Sequence, residues 1–395
     1  MAPRPEKARR FARATLAVHL ATVFFGIALS NIFLGMTLLA LPLARVADEL
    51  RSARVRPLLH AVGAWLAAMA IAVVWSIDPG SSAGSMSELF NLSTLLLVVM
   101  LAREERVLRR VVGVVIAVAV GLGVLGSAQL LMQGEAGLSS RIKGSLSHYM
   151  TFSGILVIGG AFLLAHLLFR RGRWLWMATI PIVVALVASL TRSAWAGLIV
   201  ALVLLLLLRS KRLMLVALPI LALLFAVLAP PTARERMLSI FDPTDVSNYD
   251  RLCMVQAGLE MFRDRPITGI GPEMVERVYP IYRVPSAPRL TVPHLHNAPL
   301  QILAEMGIVG FLAWLLLLSV GARAAWRRYW AEGGRAGPNA DLWLGALAAL
   351  AAFVVAGLFE DNWGDAEVRR LALVALAVPF CAAVGRGTEP PDRSA

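Results

Sequence analysis

The sequence predicts an all-α polytopic membrane protein with about twelve transmembrane helices and a large, partly helical periplasmic loop between helices 9 and 10. Three observations carry this. Of 395 residues, 58% are hydrophobic and only 16% charged, whereas soluble domains run at about 45–50% and about 25%. The mean hydropathy is +0.72. Apolar runs of near-spanning length recur along the chain, and Lys and Arg gather in alternate loops between them.

The net charge of +13 would suit a nucleic-acid partner in a soluble chain. Here it reads instead as basic residues retained on the inner side of a membrane, and no nucleic acid is expected. The only two cysteines are Cys253 and Cys381, so neither a disulfide framework nor a cysteine-based zinc site is expected. The basic start resembles a signal peptide, but no small-residue cleavage site leads into a soluble domain. An uncleaved first span is expected.

A helix crossing about 30 Å of hydrocarbon needs about 20 apolar residues. Twelve runs qualify, at 14–29, 31–44, 57–75, 88–102, 111–132, 150–169, 174–190, 193–208, 213–229, 300–322, 342–359 and 368–385. The first two can be read as one long helix or as a pair meeting near Ser30 and Asn31. The pair puts 25 of the 38 basic residues on one side, which carries net +16, and leaves the other side at net −3. One long helix would scatter them, so the positive-inside bias selects the pair. Both termini are then cytoplasmic, including a tail at 386–395.

The chain divides into helices 1–9 (1–229), a periplasmic loop (230–299) and helices 10–12 (300–385). A loop of that length is usually functional or disordered. Within it, Asn248 or Asp250 can cap a helix over 251–263, where Leu252, Val255, Leu259 and Phe262 form one apolar face. Pro266 and the Gly269-Ile270-Gly271-Pro272 turn follow it.

Polar residues that the bilayer should reject mark function in such proteins. The span centres are nearly free of charge, which weakens a transporter reading. The unusual groups lie on the outer side: Arg192, Arg251 and Arg265, His294 and His296, and Glu360, Asp361 and Asn362. Arg192 stands in a very short connection, where a planar, permanently charged guanidinium suits a diphosphate. Alone, it reads equally as a snorkelling interface arginine. A histidine such as His296 can remove a proton from a sugar hydroxyl. His294 and His296 could also ligate a metal, but no third ligand such as an acidic pair is evident, and no metal or cofactor is expected.

Thr191-Arg192-Ser193, the stretches Asn248-Tyr249-Asp250-Arg251 and Pro266-Ile267-Thr268-Gly269-Ile270-Gly271, and His296-Asn297 followed after nine residues by Gly307 and Gly310 together resemble the O-antigen ligase and polymerase superfamily. The His-Asn spacing is that of the ligase type. Position 295 is Leu where Pro is frequent. The resemblance covers about 185–320 by motif, and the whole chain by topology. It implies a GT-C-like transferase that moves a glycan from undecaprenyl diphosphate onto lipid A-core at the periplasmic face, in contact with membrane lipids and without a metal. His296 would be the base, with Arg192 and either Arg265 or Arg251 meeting the diphosphate charge. His294, Asn297, Glu360 and Asp361 would contact substrate. A related polymerase or other lipid-linked glycan transferase is the nearest alternative, and a polysaccharide or lipid transporter the next.

Overall fold

The computed structural model describes residues 4–170, 172–242 and 245–381. The expected cytoplasmic tail and the last residues of the twelfth span lie outside them. Among the described residues every regular element is helical. In chain order these are α1 (Arg4–Ala21), α2 (Ile27–Ala44), α3 (Arg56–Val74), α4 (Pro79–Ser82), α5 (Glu88–Leu101), α6 (Glu105–Gln133), α7 (Tyr149–Phe169) and α8 (Thr179–Ala188). They continue as α9 (Arg192–Arg209), α10 (Lys211–Leu228), α11 (Pro231–Leu238), α12 (Val246–Asp264), α13 (Val275–Tyr282), α14 (Ala298–Ala331), α15 (Ala340–Gly357) and α16 (Ala366–Ala377).

Each of the twelve apolar runs overlaps one of these helices. By length and apolarity, nine stretches among the described residues can cross a membrane: α2, α3, 79–101, α6, α7, α9, α10, α14 and α15. The others are shorter or more polar: α8 has 10 residues, α16 has 12, and α1 opens with a run of charges.

The first pair is a hairpin. Its break falls at Gly26, four to five residues before the expected position, because Gly26 adopts a φ of 136° that other residues avoid. Antiparallel packing is visible in three contacts along the pair: Arg9 donates to the Ala44 carbonyl, the Thr37 hydroxyl to that of Thr15 at 2.9 Å, and the His19 ring meets Ser30. Residues 45–56 therefore lie at the same end as the N-terminus. So does residue 104, through the Arg13–Glu104 pair at 2.8 Å. The opposite end gathers 75–88, 134–148, 189–192, 229–297 and 358–365, joined by contacts such as Ser145 to the Phe24 carbonyl and Thr151 to Asp365.

The segment between α10 and α14 is ordered around its own small core of Met254, Met261, Val275, Tyr279, Leu295 and their neighbours. Helix α12 starts five residues earlier than expected, because Asp245 rather than Asn248 or Asp250 is its cap; the Asp245 carboxylate accepts from the Asn248 amide at 3.0 Å. Its buried face also differs from the expected one. Leu252 and Leu259 are exposed, whereas Cys253, Met254, Ala257, Gly258 and Met261 are buried. Small residues win because the approach is close: a Cβ on Gly258 would lie 2.7 Å from Leu295 and 2.9 Å from Leu300.

Below this core the chain interlocks with the bundle. Helix α14 is broken at Gly307, at φ 61° and ψ −164°. The turn at 266–271 inserts there, with Ile270 N–H donating to the Ala304 carbonyl at 2.9 Å, Gly271 N–H to Glu305 at 3.0 Å and Ile308 N–H to Pro266 at 2.8 Å. A Cβ on Gly269 or on Gly307 would sit 2.3 Å from backbone across the joint. Gly307, ten residues beyond Asn297, therefore has a packing cause. It lets the loop satisfy the backbone groups that the break exposes.

Candidate functional site at the loop-bearing end

Five arginines converge on one cavity of ≈ 230 Å³ at this end: Arg141, Arg192, Arg236, Arg251 and Arg289, together with His294 and His296. Arg192 is the first residue of α9 and is only 8% exposed. Positive charge at a helix N-terminus opposes the helix dipole, so its placement there does not stabilise the helix. The turn before it is rigid, since Trp195 Nε1 donates to the Leu186 carbonyl at 2.7 Å, and Leu190 is held at a φ of 52°.

The Arg192 guanidinium donates to Ser239 Oγ at 2.9 Å and to Asn248 Oδ1 at 2.7 Å. Asn248 is itself aimed by donating to the Ser239 and Asp242 carbonyls. The nearest carboxylate, Asp245, is 3.7 Å away and is shared with Arg236 at 3.4 Å. Arg192 is thus oriented mainly by neutral oxygens, which leave most of its charge uncompensated.

Arg251, on α12, makes no hydrogen bond or ion pair among the described residues. Burial pushes its pKa down, Glu360 partly offsets this, and Arg236 adds to it. Arg141 lies over the Tyr149 ring at 4.3 Å, with a buried Nε that has no partner. Burial lowers its pKa too. Arg289 pairs with Asp250 at 3.0 Å. One carboxylate, Asp250, lines the cavity with the five arginines, and Asp245 and Glu360 stand close by, so the lining is net positive.

His296 occupies the turn before α14 at a φ of 49°, a conformation unusual for a residue with a side chain. Such strain persists only where the surroundings over-determine it, and it clusters at functional sites. Here Asn297 caps α14 by accepting from the Leu300 amide at 2.9 Å, and donates to the Leu358 carbonyl at 2.9 Å. The Ala298 amide donates to the Glu360 carbonyl and Leu295 N–H to Gln301. Asn297 therefore joins α14 to the end of α15 and is not among the residues lining the cavity.

His296 Nδ1 lies 3.0 Å from Glu360 Oε2. Burial opposes charge on Glu360, but the His296 hydrogen bond and nearby positive groups outweigh it, and its pKa is below the ordinary value. An ionised carboxylate can only accept, so Nδ1 carries the proton and, in the neutral ring, Nε2 offers its lone pair. The His294 ring meets that of His296 edge to face at 4.3 Å. Burial and the neighbouring His296 push its pKa down to about 4.

Of the residues singled out in the sequence, Arg192, Arg251, His294 and His296 line the cavity, and Glu360 touches it through His296. Four do not come with them: Asn297, the α14 cap; Asn362, which donates to the Phe353 carbonyl at 2.7 Å; Arg265; and Asp361. Arg265 is exposed and donates to the Trp75 carbonyl at 2.9 Å, because the chain has already turned toward the α14 break. Asp361 accepts from the Gly364 amide at 3.2 Å and shapes the α15–α16 turn. Burial, with Glu360 adjoining, raises its pKa to about 7.

Arg141, Arg236, Arg289, His148 and Tyr149 also line the cavity and were not singled out. One signal was available: the arginines are among the 13 basic residues on the side that the charge bias leaves acidic. The third potential metal ligand, not evident in sequence, is Glu360. His294, His296 and Glu360 each offer a ligand atom within 4.8 Å of the others.

The arrangement pairs a base having a free lone pair with a positively charged wall, which fits deprotonation of a hydroxyl beside a leaving oxyanion. A family model described as O-antigen ligase matches residues 177–315 of the chain. A comparison with curated proteins found no match.

Proposed function

We propose, from the match of residues 177–315 to a family model described as O-antigen ligase, that the chain transfers a glycan from undecaprenyl diphosphate to a sugar hydroxyl of lipid A-core. The carrying observation is that His296, bonded to Glu360, shares one cavity with Arg192 and Arg251. The cavity opens at the bundle end opposite the basic loops, which the positive-inside bias makes periplasmic.

In the proposed reaction, His296 Nε2 takes the acceptor hydroxyl proton as the oxygen attacks the anomeric carbon. The bond from that carbon to the diphosphate oxygen breaks, and undecaprenyl diphosphate leaves with the electron pair. Glu360 stabilises the imidazolium that forms. Arg192 and Arg251, with Arg141 as a third donor, meet the charge growing on the leaving group. The arginine-rich lining matches a diphosphate diester, so neither a nucleotide nor a metal is required. One displacement inverts the anomeric configuration.

The test mixes purified protein with undecaprenyl-diphosphate glycan and, separately, lipid A-core or a second donor chain, in EDTA. Product with lipid A-core supports the ligase. Chain elongation with the second donor would identify a polymerase, and no product with either would overturn the transferase reading.

A further inference from the structure

We propose that His294, His296 and Glu360 form a zinc-binding site whose occupation switches the enzyme off. The ligand atoms of the three residues lie within 4.8 Å of one another. Zn²⁺ holds nitrogen ligands at about 2.0–2.1 Å and carboxylate oxygens at about 2.0–2.2 Å. The 3.0 Å between His296 Nδ1 and Glu360 Oε2 is therefore a separation that one zinc ion can bridge in place of the shared proton.

Two further observations point to a ligand. The buried Nδ1 of His294 has no hydrogen-bond partner, so one nitrogen in the cluster is unused by the protein. The three side chains come from two rigid supports, the turn fixed by the Asn297 cap and the turn following α15, so the set is pre-organised. Two imidazoles and one carboxylate form a donor set that zinc favours, with a fourth position left for solvent or an anion. Arginines lining the same cavity favour an anion there.

Inhibition follows from imidazole chemistry. An uncharged imidazole has one nitrogen lone pair and one N–H. When zinc takes Nδ1, the proton moves to Nε2, and no lone pair remains to accept from a hydroxyl. If zinc takes Nε2, the base is blocked directly. The inhibitory consequence rests on the transferase reading above, but the metal site itself does not.

The experiment uses the full chain in detergent, with any affinity tag removed, and Co²⁺ as a spectroscopic probe for zinc. Titration should give visible absorption of a four-coordinate ion that saturates at one equivalent and is displaced by Zn²⁺. Glu360→Gln and His294→Asn, which roughly keep side-chain size, should each weaken binding by more than about 10- to 100-fold, the loss that removing a group behind a ligand already causes. Absence of saturable absorption, or unchanged affinity in both variants, overturns the site. Separately, Zn²⁺ should inhibit transfer in step with Co²⁺-measured occupancy, and EDTA should restore it. Activity that is lost on chelation and regained with zinc overturns the inhibitory role. Full transfer by His296→Ala would instead overturn the base assignment and leave the binding result standing.

Discussion

The two ends of the bundle use arginine in opposite ways. At the end carrying the N-terminus, Arg13 meets Glu104 at 2.8 Å and the Leu101 carbonyl at 3.1 Å, while Arg109 meets Glu105, Asp341 and Asn339. Those charges are spent on joining helices. At the loop-bearing end, Arg192 is aimed by a serine and an asparagine, Arg251 has no described partner, and Arg141 rests on a tyrosine ring. At that end Arg289 and Arg236 do pair with Asp250 and Asp245, but the other three are held chiefly by neutral groups or by none. An arginine oriented by neutral groups retains its field for a ligand, and one held by carboxylates does not.

The deepest test of this contrast lies at the base that the arginine field would serve. His296→Ala should lower turnover by about two to four orders of magnitude, with donor binding kept, in single-turnover assays. Undiminished turnover would remove His296 from the chemistry and leave the arginine cavity as a binding site alone.

Next in size is a pair of charge-conserving exchanges. Arg192→Lys should reduce turnover by on the order of 100-fold, since a point charge cannot reproduce a planar fork facing a diphosphate. Arg13→Lys should leave turnover within about twofold and lower the thermal midpoint by a few degrees, as loss of about 1 kcal/mol does. Equal effects on turnover from the two exchanges would erase the distinction between the ends.

A smaller effect concerns pH. The folded chain holds His294 at about 4, below its ordinary 6.5. Between those values the unfolded chain binds the proton and the folded chain does not. Stability from this group is therefore complete above pH 6.5 and declines as pH falls toward 4. The midpoint of His294→Asn should fall less steeply over that window than that of the parent. Parallel slopes would mean that His294 is not held neutral.

The smallest effect is expected at Arg265. Its exposed hydrogen bond to Trp75 contributes about 0.5–1.5 kcal/mol at most, and Arg265→Ala should keep turnover. A severe loss would return it to the site and displace Arg251 as the second arginine.

Nine of the twelve expected spans were legible, because hydrocarbon imposes a length and an apolarity that a single sequence displays directly. The pairing of α1 with α2 was legible from charge. Its break was not, because Gly26 rather than the polar Ser30 and Asn31 supplies the backbone freedom. In α12, side-chain size misled: Leu252 and Leu259 look like a core face, but close approach to Leu295 and Leu300 requires Gly258. His296 and Arg192 stood out as polar groups beside spans. Glu360 stood out too, but its bond to a histidine 64 residues earlier is a product of packing between α14 and α15. The same holds for Arg141, which enters from the loop between α6 and α7.

The joint at Gly307 also dictates an order of assembly. Breaking α14 there gives the Ala304 and Glu305 carbonyls to the amides of Ile270 and Gly271, which the ribosome delivers before α14 itself. An unpaired carbonyl in hydrocarbon costs several kcal/mol. The upper part of α14 therefore cannot settle until the turn that completes it has folded. Synthesis of this chain is vectorial in a chemical sense: the segment made first is the template on which the next apolar helix closes.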